Sequence, residues 1–369
     1  MERREIEEIL DAMRSARRSG QRVALATVVR VKGSAYRREG ARMLIRDDGA
    51  ITCMLSGGCL EPDVAEVARR VMTRGVPELR HYDLDEDIVW GLGLGCGGSV
   101  DVYIEPVDQD PLLARWLELL RNGALAVLAM RLVPERNRLL VTSSGDRSGG
   151  LGASALDARV RARAAEIMAA QHPRAVTQRI ELDGADEADV FFDVSAPPPE
   201  LVIFGAGHDA IPVVALARSL GWQIAVVDAR AAFLTPERFP GARLVLAHPA
   251  QFESQVQLGP RSYALIMNHH LERDGAALGL AVRSEAPYIG VLGPRARYET
   301  LLEALKAEAV ELDPERLARV RSPLGLDIGA ESPDEVALSI VAALLAARRG
   351  FAGGFLDGIS GRIHDPAAR

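Results

Sequence analysis

The chain has 369 residues, enough for two domains that each bury a core, and its 48% hydrophobic and 26% charged content is ordinary for a soluble globular protein. A formal net charge of −7 argues against a general nucleic-acid or anionic-membrane binder, no apolar run approaches a membrane span, and three cysteines cannot make a disulfide framework. The segment MERREIEEIL carries charges where a secretory signal needs an apolar core, so a reducing cytoplasm is the expected location.

In chain order, Ile6, Ile9, Leu10 and Met13 fall on one face of an amphipathic helix over residues 3–18, which serves packing or pairing of two chains. Val23–Val31 reads as a strand. In the following GSAYRREGARMLI, Tyr36, Arg37, Arg38 and Arg42 surround glycines on a loop that is either a solvated turn or an anion contact. An apolar strand, Ile51–Leu55, then runs into Ser56-Gly57-Gly58-Cys59, and Pro62 marks the first turn of a helix that carries Val64, Val67, Ala68 and Val71 inward. Cys59 therefore sits on a flexible loop beside a helix N-terminus, where N–H groups and the helix dipole favour a thiolate able to attack or to bind a soft metal. Cys53, inside the strand, reads as a small core residue.

After the acidic stretch Tyr82–Asp87, Trp90–Gly98 (WGLGLGCGG) places Cys96 among five glycines in eight residues, and Val100–Glu105 returns as a strand. No Lys-Ser or Lys-Thr pair follows the glycines, which rejects a P-loop. The two cysteines, 37 positions apart, do not match the close pairs of structural zinc sites. They form either one shared site for something soft, with Gly57, Gly58, Gly97 and Gly98 beside them, or two unrelated buried thiols. A helix around Leu112–Leu120, strands near Ala124–Met130 and Leu139–Thr142, and a helix over Ala155–Ala170 complete an α+β N-terminal domain, residues 1–195. Ala196-Pro197-Pro198-Pro199 is a stiff link to a second domain, residues 200–349.

That domain opens on LVIFGAGHDAIPVVALARSLGWQIAVVD, in which an apolar strand from Leu201 to Phe204 meets Gly205 and Gly207, and Ile211, Val214 and Ala217 then recur at helical spacing. A second strand ends at Asp228, 23 positions after Gly205, where a Rossmann unit places the acid that binds ribose hydroxyls. Gly205 turns the chain, Gly207 lets backbone approach a pyrophosphate, and Ala210 lets helix pack on strand, so NAD or another dinucleotide is the default ligand. His208 complicates that default, since its imidazole could touch phosphate, act as acid or base, or cap the helix. Leu244–Ala247, Tyr263–Met267 and Tyr288–Leu292 read as further parallel strands whose carboxyl ends bring His269, His270 and Arg295, with Arg230, towards the same crevice. A last helix, Ser332–Arg348, buries Val336, Ile340, Leu344 and Leu345, and residues 350–369 form a loosely ordered tail.

Several of these segments, in this order, resemble the XdhC/CoxI family: SGGCLEPD at Ser56–Asp63, WGLGLGCGG at Trp90–Gly98, FGAGHDA at Phe204–Ala210, MNHHLERD at Met267–Asp274, YIGVLGPR at Tyr288–Arg295, PLGLDIGAESPDEVALSI at Pro323–Ile340 and GRIHD at Gly361–Asp365. The resemblance covers nearly the whole chain. It implies an accessory protein that binds the molybdenum cofactor (molybdopterin), protects it while a cysteine desulfurase supplies its terminal sulfido ligand, and delivers it to a molybdenum hydroxylase such as xanthine or carbon monoxide dehydrogenase. Thiolates at Cys59 and Cys96 suit a soft molybdenum centre, and glycine-rich backbone with arginine suits the pterin phosphate. The chain departs from the family pattern at Asn268, Glu39 and Cys53, where threonine, proline and a smaller polar residue are usual. Nothing in it resembles the iron–sulfur or flavin domains of the hydroxylase. Two rival readings are an NAD-dependent oxidoreductase with His208, His269 or His270 as acid–base, and an adaptor between desulfurase and hydroxylase. Pairing of two chains is a further expectation.

Overall fold

The computed structural model describes residues 3–33, 35–84, 98–107, 110–132, 137–170, 172–181, 187–307 and 312–357. The chain divides between Pro197 and Pro198 into two compact units.

The first unit is more ordered than a generic α+β domain, because it is one motif built twice. The first copy runs α1 (Arg3–Ser19), β1 (Val23–Gly33), β2 (Arg42–Arg46), β3 (Ile51–Thr52), α2 (Glu61–Arg74), β4 (Glu78–Asp83), β5 (Gly98–Pro106). The second runs α3 (Pro111–Asn122), β6 (Ala126–Arg131), β7 (Arg138–Thr142), β8 (Arg147–Gly150), α4 (Ser154–Ala169), β9 (Val176–Glu181), β10 (Glu187–Ser195). Each makes an antiparallel five-stranded sheet, ordered β3-β2-β1-β5-β4 in one and β8-β7-β6-β10-β9 in the other, which is the same order position for position. Register agrees as well. Leu25 faces Leu44 and Glu105 on its two neighbours, and Leu128 faces Leu140 and Asp193 in the same way.

Alternation along the strands gives each sheet two apolar faces. One face of the first sheet (Ala24, Ala26, Met43, Ile45, Ile104) packs on Val64, Val67, Ala68 and Val71 of α2. The equivalent face of the second (Val127, Ala129, Leu139, Phe192) packs on Val160, Ala164 and Ile167 of α4. The remaining faces share a core with Ile6, Ile9 and Leu10 of α1 and Leu113, Trp116 and Leu117 of α3. Two crossed ion pairs tie the copies together. Arg42, which opens β2, meets Asp193 of β10, and its equivalent Arg138, which opens β7, meets Glu105 of β5. All four are buried. Arg42 is therefore neither on a solvated turn nor an anion contact, and burial lowers its pKa to about 10 despite the nearby carboxylates of Glu105 and Glu5.

The second unit is a parallel sheet ordered β13-β12-β11-β14-β15-β16, the doubly wound Rossmann arrangement. Its strands are β11 (Glu200–Phe204), β12 (Gln223–Asp228), β13 (Arg243–Leu246), β14 (Ser262–Ile266), β15 (Tyr288–Val291) and β16 (Val320–Arg321), and its helices α5 (Ala210–Ser219), α6 (Phe252–Gln255), α7 (Leu271–Arg283), α8 (Arg295–Ala307), α9 (Pro314–Leu317) and α10 (Pro333–Arg349). Leu201 and Ile203 face the core under α5 and α10, while Val202 and Phe204 face the core under α7 and α8. In α10 a capping box of Ser332 and Glu335 starts the helix and Gly350, at φ +76°, ends it. Leu345, expected inside, is 37% exposed because Ile340, Val341 and Leu344 take the buried face.

Candidate functional site

The cysteine loop of the first unit is built on local hydrogen bonds. The strand expected over Ile51–Leu55 stops at Thr52, because Cys53 takes a left-handed conformation, φ +63°. Its thiol packs against the core shared by α1 and α3 and lies 3.6 Å from the Glu5 carbonyl and 3.9 Å from a Glu8 carboxylate oxygen. Burial, followed by the Glu5 and Glu8 charges, pushes that thiol up to about 11.

Beyond it, buried Glu61 reaches back from the first turn of α2. Its carboxylate accepts from the Leu55 N–H at 2.9 Å and the Ser56 N–H at 2.7 Å, and also takes the Ser56 hydroxyl. The Ser56 oxygen in turn accepts from the Gly58 and Leu60 N–H groups at 3.3 and 3.1 Å. Burial pushes the Glu61 carboxyl up, but hydrogen bonds from Ser56, Leu55 and its own backbone outweigh this and hold it below the ordinary value.

The second copy of the motif shows what is peculiar about this loop. There Asp157 accepts from the Leu151 N–H at 2.7 Å, as Glu61 does from Leu55, with the same six-residue spacing. On that alignment Leu60 matches Leu156 and Cys59 matches Ala155, yet α4 already begins at Ser154 whereas α2 begins only at Glu61. The loop bearing Gly57, Gly58 and Cys59 is thus the first turn of a helix, unwound. Among the described residues nothing lies within 4 Å of a Cβ added at Gly57 or Gly58, and Gly58 has φ +111°. Cys59 is half-buried against the core that also holds Leu84 and Val100, with Tyr82 and Val31 at its edge.

Cys96 and Gly97 lie outside the described residues, and so does GRIHD. What is described is the base of the connection that carries Cys96. The Leu84 N–H donates to the Gly98 carbonyl at 2.7 Å, Gly98 pairs with Gly33, and Tyr82 donates to Asp63, in the first turn of α2, at 2.6 Å. The Cys59 loop and the roots of the Cys96 connection therefore share one end of one sheet. That connection has 14 residues, 84–97, against five, 182–186, in the second copy.

In the second unit the glycine turn is as tight as its sequence requires. Gly205 has φ +118°, and a Cβ there would lie 2.8 Å from the Asn268 nitrogen and collide with the Met267 carbonyl. Asp209 caps α5 and accepts from His269 Nε2 at 2.8 Å, with His269 itself left-handed at φ +56°. His208, His269 and His270 are exposed, and Arg295 is 74% exposed, 3.4 Å from Glu299. Asp228 is buried and holds the Ala206 N–H at 2.7 Å and the Arg230 backbone and guanidinium at 2.8–3.0 Å. Sequence reasoning missed two further parts. Arg297 pairs with buried Asp274 at 2.6 Å, and Asp274 also holds the Asn268 N–H at 3.0 Å, while the buried Asn268 Nδ2 has no partner among the described residues. Arg238 donates to the Ala206 carbonyl at 2.9 Å. Among the described residues no group of three or more His, Cys, Asp or Glu side chains is arranged to hold a metal ion, and no helix is long and apolar enough to cross a membrane.

Comparison with known proteins decides the family. Residues 16–83 match the XdhC and CoxI family and residues 201–344 match the XdhC Rossmann domain. A probable xanthine dehydrogenase subunit from Bacillus subtilis is 31% identical over 89% of this chain and 94% of its own length. The chain belongs to the XdhC and CoxI family. Within it, the similarity extends to the molybdenum cofactor insertion chaperone PaoD of Escherichia coli, 23% identical over 89% of this chain and 85% of the relative. A crystal structure described as a xanthine dehydrogenase from Bacillus halodurans superposes with a TM-score of 0.74 at 30% identity, covering 94% of this chain and 96% of that one. Both halves of the XdhC architecture, the twice-built antiparallel unit and the Rossmann sheet, thus lie inside the region of likeness.

Proposed function

We propose that this XdhC-family chain binds the molybdenum cofactor, shelters it while its terminal sulfido ligand is installed with sulfur from a cysteine desulfurase, and passes it to a molybdenum hydroxylase of the xanthine or carbon monoxide dehydrogenase type. The observation that carries the reading is the inequality of the two copies in the first unit. The fold needs neither an unwound helix turn nor a long β4–β5 connection, since the second copy does without both, and those two departures bring in Cys59 and Cys96. The likeness to a protein named as a cofactor insertion chaperone supports the same conclusion.

The residues present suit the cargo. Cys59 offers a soft sulfur donor beside the glycine pair, and the Ser56–Glu61 network fixes the loop that carries it through the Leu55, Ser56, Gly58 and Leu60 N–H groups. The bound cofactor supplies the redox-active molybdenum that the hydroxylase uses. This chain holds it and keeps water and oxidants away.

The test is anaerobic binding of isolated molybdenum cofactor to the purified protein, with NAD titrated in parallel. Stoichiometric capture that Cys59→Ala with Cys96→Ala abolishes is the expected result. Tight NAD binding without cofactor capture would overturn it in favour of a dehydrogenase, and undiminished maturation of the hydroxylase by the double variant would favour an adaptor.

A further inference from the structure

The crevice of the second unit carries its charges the opposite way round from a site for NAD. In an NAD-binding unit the glycine turn and helix N-terminus offer uncharged N–H groups to the pyrophosphate, and a free carboxylate at the end of the second strand meets the ribose. Here the Asp209 carboxylate itself fills the space that Gly207 leaves by lacking a Cβ. It is fixed there by the Ala210 N–H at 3.1 Å and by His269 at 2.8 Å. At the ribose end Asp228 is 1% exposed, both of its oxygens already accepting from Ala206 and Arg230.

What the strand end turns outward is positive. The Arg230 side chain is 38% exposed and lies 4.1 Å from the Phe233 ring centre, and Arg238 lies 5.2 Å from the same ring. Arg230 uses Nε and Nη2 on Asp228, and Arg238 uses Nε and Nη2 on the carbonyls of Phe233 and Ala206. Among the described residues the Nη1 group of each makes no hydrogen bond. Two guanidinium groups are thus held against one aromatic ring beside the glycine turn, each with donors to spare.

We propose that this crevice takes its ligand by a phosphomonoester held between Arg230 and Arg238, and that Asp209 opposes any pyrophosphate at the glycine turn, so that NAD, which has no phosphomonoester to offset that repulsion, is turned away. A dianionic phosphate matches paired guanidinium forks in charge and geometry, and an arginine beyond the second strand is how such units accept a ribose 2′-phosphate. Both a 2′-phosphorylated dinucleotide and the pterin phosphate of the molybdenum cofactor carry that group.

The full-length protein, Arg238→Gln, Arg230→Lys and Asp209→Asn are titrated with NADP, NAD and isolated molybdenum cofactor. Arg230→Lys keeps a cation against buried Asp228, and thermal melts check that each variant folds. Binding of NADP or the cofactor at least tenfold tighter than NAD, weakened tenfold or more by both arginine variants, is the expected result, with NAD binding gained in Asp209→Asn. Whichever of NADP and the cofactor binds identifies the source of the phosphate. Equal binding of NAD and NADP, no binding of either phosphomonoester, or phosphomonoester binding that survives both arginine variants overturns the proposal. Cofactor capture that needs the cysteines but not the arginines overturns it while leaving the chaperone reading intact.

Discussion

In the first unit the surroundings of the Cys53 thiol disfavour its reactive form. Cys53 is pushed up to about 11 by burial and by the Glu5 and Glu8 charges, and only a thiolate attacks an alkylating agent. At pH 8, peptide mapping after iodoacetamide treatment is therefore expected to find Cys53 largely unmodified, with labelling rising only towards pH 11. Rapid labelling at pH 8 would refute the environment described for it. Glu61 acts in the opposite sense, since its folded-state value is depressed. Its contribution to stability is in place above the unfolded glutamate value of about 4.3 and is lost as pH falls through the lower folded value. Glu61→Ala strands the buried Leu55 and Ser56 N–H groups and is expected to cost about 1–3 kcal/mol. Urea denaturation measures the loss, and faster alkylation of Cys59 in the same variant would report the loosened loop.

At the scale of one strand, turn and helix, the two glycines of the Rossmann turn make a contrast that can be tested. A methyl group at Gly205 would strike the Met267 backbone and would sit on a residue at φ +118°. A methyl group at Gly207 would meet only the end of the Asp209 side chain, which can move at the cost of its bonds to the Ala210 N–H and His269. Gly205→Ala is expected to destabilise the second unit by about 2–4 kcal/mol and Gly207→Ala by about 1 kcal/mol, the worth of the lost cap, read by thermal denaturation. This turn was also the most legible part of the chain. Strand-like and helix-like periodicity change over within a few residues there, and glycines mark the change. Asp228 shows the limit of such reading, because spacing alone placed it at the ribose while Arg230, two residues on, turns it into a buried clamp. The repeat in the first unit escaped notice because burial and register are repeated while identity is not. Tyr103 and Phe191 occupy equivalent places on β5 and β10, as do Glu105 and Asp193. Arg238 and Arg297 were missed because partners 32 and 23 positions away give no local signal.

Taken whole, the first unit depends on charges that cross between its two copies. Asp193, buried, receives both Arg42 and the Trp116 Nε1–H at 2.9 Å. Asp193→Ala leaves a guanidinium buried without its partner and is expected to cost roughly 3–5 kcal/mol, whereas Asp193→Leu combined with Arg42→Met is expected to recover part of that loss, the buried Trp116 Nε1–H remaining without its acceptor. Urea denaturation of the single and double variants decides the matter. A single variant that loses under about 1 kcal/mol would mean the pair is not what joins the copies.

The unequal copies also bear on stoichiometry. A fold with two like halves has two seats for a loop of this kind, and one of them is kept shut by ordinary helix formation, with Ala155 where the other half has Cys59. On the function proposed above, the chain carries one cargo rather than two, because among the described residues the second half has no counterpart of the unwound Cys59 loop. A binding protein that must give up what it holds gains from that arrangement, since loading and release concern a single place, and the spare half can hold its shape throughout.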